Sequence, residues 1–251
     1  MLGQIFLSLA ILSHVQGGDH WRLQTDHGPV HVFRPTGYNA RSAGTIVYVH
    51  GFYTDVDTAW RNHRLAEQFA RSNKQALFIV PEAPTASGQD VRWSSLDDLL
   101  TTVHVKTGLP RPPGPVVVIG HSAAYRTIAA WLDCGRLKHV ILVDALYGNE
   151  DDFLRWIDDP DHRLTIVADD TSEIAEPFVR QVHAAVTLPA IPEDWSRAPA
   201  AARRAHVLYM RSQYTHMALV TEGKALPVLM QRAPVGMRSV RAGWVDRALR
   251  L

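Results

Sequence analysis

The sequence predicts an α/β fold, a mostly parallel central sheet with helices on both faces, entered through an antiparallel hairpin. Three observations carry this expectation. Short β-branched runs recur along the chain, and segments with apolar residues at helical spacing separate them. Strands alternating with helices form parallel sheets. The runs are also apolar throughout, as strands covered on both faces are, instead of alternating with polar residues.

Trp21 to Thr25 and Val30 to Phe33 read as the hairpin strands, around the turn Asp26-His27-Gly28-Pro29. Thr45-Ile-Val-Tyr-Val-His50 is the first buried strand and stops at Gly51. A helix follows over Trp60 to Arg71, where Leu65, Ala66 and Phe69 share a face. Ala76 to Val80 is the next strand, closed by Pro81. Leu96, Leu99, Leu100 and Val103 mark a second helix. Val116-Val-Val-Ile119 is the most strand-like segment, followed by a helix over Ala123 to Cys134 and a strand over Val140 to Val143. A helix around Phe153 to Ile157 and a strand over Leu164 to Val167 come next. Glu173 to Val186 reads as helix, Thr187 to Trp195 as a proline-containing loop, and His206 to Met210 as the last strand. The tail beyond His216 is helical in pattern.

The chain has 251 residues, 46% hydrophobic and 20% charged, which suits one globular domain over residues 18–251. A formal net charge of +1 gives no reason to expect nucleic acid or an anionic membrane as partner. No stretch is apolar enough to span a bilayer, and oligomeric state is not legible. The C-terminal arginines Arg232, Arg238, Arg241, Arg247 and Arg250 read as a solvated helix face. Cys134 is the single cysteine, read as a buried thiol, so neither a disulfide nor Cys-based metal spacing is available. Residues 1–17 contain the short apolar run Ile5 to Leu12 followed by Val15-Gln16-Gly17. They resemble a signal peptide, but no Lys or Arg precedes the run. A secreted or periplasmic and a cytoplasmic location both stay open.

The chemistry centres on Gly120-His121-Ser122-Ala123-Ala124. A G-x-S-x-[GA] pattern arises by chance about 0.2 times in a chain of this length, so its place decides. It lies directly after the best strand and directly before a helix, where a sharp turn pushes a serine hydroxyl out at the carboxyl edge of the sheet. Ala124 replaces the second glycine of the usual pattern. A serine needs a base. His216 follows the last strand, whereas His206 begins that strand, His183 lies in a helix and His121 is the variable residue of the motif. A carboxylate must orient the imidazole. Asp144 ends one strand and Asp169 and Asp170 end the next, and the sequence does not choose between them. The Ala123 N–H is one candidate oxyanion donor. The Phe52 N–H, in His50-Gly51-Phe52-Tyr53, is the second, with Gly51 permitting close approach. Phe52, Tyr53, Trp60, Trp93, Tyr125, Tyr147, Trp156 and Trp195 are candidate pocket aromatics, and Tyr53 and Tyr147 are read as the substrate-pocket residues.

These pieces resemble the α/β-hydrolase superfamily, in its serine esterase and lipase-like branch. The matching residues are His50-Gly51-Phe52, Gly120-His121-Ser122-Ala123-Ala124 and His216, in the order Ser, Asp, His, and the likeness spans Thr45 to the end. It implies Ser122 as nucleophile, His216 as base and an acyl-enzyme route with neither metal nor organic cofactor. In most of the superfamily the acid would fall at Asp169 or Asp170, and in a lipase-like subset at Asp144. The compact Asp144-Ala-Leu-Tyr-Gly148 segment favours Asp144, with Asp170 second. The substrate expected is a small or medium carboxylic ester. An amidase or peptidase on the same residues is the near rival, and a non-catalytic binding protein of the same fold is the rival of another class. Residues Thr171 to Arg203 have length enough for a partial cap, although a plain crossover helix and loop is the simpler reading.

Overall fold

The computed structural model describes residues 10–15 and 17–238. Its sheet has the order β1-β2-β3-β5-β4-β6-β7-β8-β10-β9. β1 (Ala10–Val15) pairs antiparallel with β2 (Gly18–Leu23), β2 with β3 (Val30–Pro35), and β3 with β5 (Ala76–Pro81). From β5 onward every pairing is parallel, through β4 (Gly44–Val49), β6 (Val116–His121), β7 (Leu137–Val143), β8 (Arg163–Ala168), β10 (Val207–Arg211) and β9 (Val186–Leu188). The hairpin and the parallel sheet are as expected. β1 takes up the end of the segment read as signal-like. Residues 1–9 and Gln16 lie outside the described residues, as do Arg241, Arg247 and Arg250.

Successive strand residues enter opposite cores, which explains the unbroken apolar runs. Val47, Val49, Val116 and Val118 pack on one side with Leu99, Ile128, Trp131, Phe153 and Phe178. These come from α3 (Leu96–Thr107), α4 (Tyr125–Ala129) and its following turn, α5 (Glu150–Trp156) and α6 (Ser172–Gln181). Ile46, Tyr48, Val117 and Ile119 pack on the other side with Val56, Leu65, Phe69, Ala202, Leu219 and Leu226. Those come from α1 (Val56–Asn62), α2 (Leu65–Ser72), α7 (Ala200–Arg204), α8 (Ala218–Thr221) and α9 (Ala225–Gln231).

Four local readings change. The helix expected over Trp60 to Arg71 starts earlier, capped by Asp55, and breaks at His63-Arg64, where Arg64 takes φ +47°. The break buries His63, whose Nδ1 lies 3.1 Å from the Tyr48 hydroxyl. The helix after Ser122 ends at Ala129, well short of Cys134, which is buried as expected. Val186–Leu188, read as the end of a helix and the start of a loop, joins the sheet edge beside β10. Together with α6 and α7 it makes the 171–203 segment a crossover with an added strand. Finally, Arg232 is buried, not solvated. It donates to Thr165 Oγ1 (2.6 Å) and to the Ala202 and Ala205 carbonyls (2.8 and 2.7 Å) at the end of α7, with its guanidinium over Trp195. A fork of donors meeting the negative end of a helix accounts for a guanidinium held without a carboxylate.

The N-terminal strands carry a polar stack. Arg22 grips Asp57 with two bonds of 2.7 Å, and His31 Nε2–H donates to Asp57 at 2.9 Å. His31 Nδ1 must then accept from His20 Nε2–H, 2.8 Å away, and Trp60 stacks on both rings. Burial lowers both imidazoles to about 4, and does the same to His63. Unfolded imidazoles take up protons near 6.5, so between there and 4 the unfolded chain binds more protons and stability falls as pH drops. A loss of roughly 5–10 °C in Tm is expected between pH 7 and pH 5, by calorimetry. An unchanged Tm over that window would mean that these rings are already hydrated in the fold.

Candidate active site

The carboxyl ends of β4, β6, β7, β8 and β10 bring the sequence-predicted residues to one edge of the sheet. β6 ends at His121, and Ser122 turns the chain with φ +57° into the one-turn helix Ser122–Ala124. A non-glycine residue there costs about 1–2 kcal/mol, held by its surroundings. A Cβ on Gly120 would overlap Ile128 Cδ1 and lie 2.9 Å from Ala124 Cβ, so the helix can settle on the strand end only over a glycine. Ala124, the departure from the usual motif, is buried with its methyl against that glycine. Tyr53 (φ +65°) and Asp144 (φ +47°) are strained in the same way at the ends of β4 and β7. Backbone strain of this kind gathers where side chains are aimed at a task.

Asp144 is fully buried, and its carboxylate is saturated with donors. His216 Nδ1–H donates to Oδ2 at 2.6 Å. The Asp169 and Thr171 N–H groups, both at 2.9 Å, and the Thr171 hydroxyl at 2.7 Å donate to Oδ1, and the Asp170 N–H reaches Oδ2 at 3.2 Å. Burial pushes the Asp144 carboxyl up, but the bonds from His216, Thr171 and Asp169 outweigh it and hold it well below the usual carboxylate range. His216 is shifted the other way. Its bond to Asp144 raises it above its ordinary value against burial, helped by the charges of Asp144, Asp170 and Asp169. Asp170, the alternative acid, lies 3.8 Å from His216 Nδ1 with its side chain 64% exposed. It supports Asp144 through its main chain. Asp144, Asp170 and His216 offer atoms within 4.8 Å of one another, a spacing a cation could use. The five bonds into Asp144 occupy its lone pairs, however, and suit a hydrogen-bond network instead.

Gly51 lies against the serine: a Cβ there would be 2.6 Å from Ser122 Cβ and 3.1 Å from Ser122 Oγ. The Tyr53 N–H is used by the Thr85 carbonyl at 2.8 Å, while the Phe52 N–H has no partner among the described residues. The Ala123 N–H belongs to the first turn of a helix, where amides lack intrahelical acceptors. Neither Ser122 Oγ nor His216 Nε2 has a hydrogen-bond partner among the described residues, so the serine and the imidazole are not bonded to each other here. Such contacts commonly tighten only around a substrate.

The aromatics divide. Trp93, Trp156 and Trp195 are core residues, and Trp195 packs against Arg232 on the far side of the sheet from Trp93 and Trp156. Tyr147 is half-exposed in the loop after Asp144, its ring 6.3 Å from that of Tyr125. Burial first, then the charges of Asp144, Asp170 and Asp169, push it up to about 12. Tyr53 is 92% exposed. Two supports escaped sequence reasoning. One is Thr171, which caps Asp144 with both N–H and hydroxyl. The other is His50, whose ring contacts the Gly51 carbonyl (2.8 Å) and Glu82 (2.9 Å). An Asp-Asp-Thr turn at a strand end was the available signal for the first.

Residues 46–247 match the alpha/beta hydrolase family. The chain belongs to that family. No curated protein is detectably similar in sequence. Among solved structures, this α/β hydrolase is similar in fold to an S-formylglutathione hydrolase from Agrobacterium tumefaciens, with 9% identity, 90% of this chain and 99% of that one covered, and TM-score 0.56. It is similar to the feruloyl esterase module of Clostridium thermocellum, crystallised with sinapinate, at 11% identity, 90% and 89% coverage and TM-score 0.53. A Pyrobaculum calidifontis esterase matches at 12% identity, 89% and 87% coverage and TM-score 0.53.

Proposed function

We propose that this α/β hydrolase is a serine esterase acting on small or medium acyl esters through an acyl-enzyme. The observation that carries the reading is the 2.6 Å bond from His216 Nδ1–H to the buried Asp144 carboxylate, on the sheet edge where Ser122 is turned outward. With the proton fixed on Nδ1, Nε2 presents its lone pair. His216 takes the Ser122 proton as the oxygen attacks the ester carbonyl. The charge that develops on the carbonyl oxygen falls to the Phe52 and Ala123 N–H groups, each worth about 3–4 kcal/mol in such sites. The imidazolium, stabilised by Asp144, then protonates the leaving alcohol. Water repeats the sequence on the acyl-enzyme and frees Ser122. Tyr147 and Tyr53 flank the acyl group in this reading. The esterase names of the structural neighbours agree with it, and the near rival, amide cleavage, differs in the leaving group.

Fluorophosphonate labelling tests it. Wild type is expected to label and to lose the label in Ser122→Ala, with p-nitrophenyl ester turnover far above anilide turnover. A folded wild type that fails to label would point to a binding protein, and anilide turnover equal to ester turnover to an amidase.

A further inference from the structure

We propose that His121 is a positioning residue that tethers the His216 main chain to the strand end carrying Ser122. This rests on the proposed serine chemistry and deepens it. His121 is the last residue of β6, buried at 3% exposure, with Nε2 3.1 Å from the His216 carbonyl oxygen. Its ring centroid is 4.4 Å from that of His216. A carbonyl only accepts, so the His121 proton sits on Nε2 and the ring is the donor.

The segment carrying His216 is tied on either side of that residue: Ser212 Oγ bonds both main-chain groups of Tyr214, and Gln68 donates to the Val220 carbonyl (2.7 Å). Ser212 N–H bonds to the Ala168 carbonyl (2.8 Å), Gln213 bonds to both main-chain groups of Ile191 (2.9 Å each), and Leu219 N–H returns to Thr215. None of these holds His216 itself. Asp144 fixes its ring at Nδ1, and His121 fixes its main chain. Because residue 121 is covalently next to residue 122, this bond sets the separation of nucleophile and base. His121 is backed by His63, with ring centroids 6.2 Å apart and edge to face, and His63 contacts the Tyr48 hydroxyl.

The tether also works electrostatically only if His121 is neutral, since a charged ring beside the His216 imidazolium would oppose its formation. Burial does this, assisted by His216 and His63, and lowers His121 to about 3 against the opposing pull of the His216 carbonyl and Asp144. A loop freed by about an ångström costs on the order of 100-fold in rate.

The test compares His121→Phe, which keeps ring bulk without the donor, with His121→Gln, whose amide nitrogen can occupy the Nε2 position. H121F is expected to lose about 10- to 100-fold in fluorophosphonate labelling rate and in kcat, with KM within about threefold, while H121Q recovers most of the loss. If wild type does not label at Ser122, the proposed function fails and takes this inference with it. If wild type labels and H121F matches it, only the positioning role fails. A folded H121Q as slow as H121F would also overturn the donor role. Should H121F not fold, nitrogen-15 imidazole spectra of wild type decide. They should show His121, assigned through cross-peaks to the His216 ring, neutral and protonated on Nε2 from pH 5 to 9, and a proton on Nδ1 or a titration in that range would overturn the proposal.

Discussion

Asp144→Asn is expected to lower kcat by about 10⁴-fold, the size the same change has in other Ser-His-Asp sites, while Asp170→Asn changes it less than about threefold. The difference follows from what each carboxylate touches. Asp144 Oδ2 accepts the His216 Nδ1 proton, and an asparagine could present an N–H there, turning the ring to the wrong tautomer and leaving no base facing Ser122. The N–H groups of residues 169–171 would also meet a neutral carbonyl instead of an anion. Asp170 supports Asp144 by its main chain, which a side-chain change does not remove. The pH profile gives a second readout. His216 must be neutral to act as base, and Asp144 raises it above 6.5, so kcat/KM should rise with pH through a midpoint above that value. In D144N the residual activity should titrate lower. Loss of activity in D170N with D144N near wild type would transfer the role to Asp170.

The fold, and the gathering of the candidate residues at one edge of the sheet, were legible because each depends on local pattern. β4, β6, β7 and β8 are four or more apolar residues bounded by turns, and burial on both faces is the only way to hide them. Ser122 was legible because strand, Gly120 and helix are contiguous in sequence. The choice between carboxylates was not, because Asp144 and Asp170 end adjacent strands, and only a slight lean to Asp144 came from the compact segment that follows it. What separates them is the 169–171 turn, which aims its N–H groups at Asp144, a tertiary fact. β9 was hidden by its length, since three residues carry no period. Arg232 was misread because a lone arginine at a helix end looks solvated unless the carbonyls of α7, thirty residues upstream, are known to be beside it. His121 was set aside as the variable residue of its motif, and its bond to His216 spans 95 positions.

Gly51→Ala is expected to lower kcat/KM by about 10²- to 10³-fold, the scale of losing one oxyanion donor. The added methyl carbon would sit 2.6 Å from Ser122 Cβ, 3.1 Å from Ser122 Oγ and 3.1 Å from the His121 carbonyl oxygen. None of these atoms can yield cheaply. Ser122 is pinned in a strained turn, and the His121 carbonyl belongs to the last residue of β6. The loop carrying Phe52 must therefore back away, taking its unpaired N–H out of reach of the developing oxyanion. Crowding of this kind costs typically 1–3 kcal/mol in stability, so Tm should fall by only a few degrees and the protein should remain folded. Gly135→Ala is the control. It has open space around its Cα and an ordinary backbone conformation, and should leave both activity and Tm unchanged. The outcome separates two kinds of glycine dependence. If G51A kept wild-type kcat/KM, the Phe52 N–H would not be an oxyanion donor. Fluorophosphonate labelling should slow in parallel with turnover, because the phosphoryl oxygen of the probe takes the same donors as the ester carbonyl.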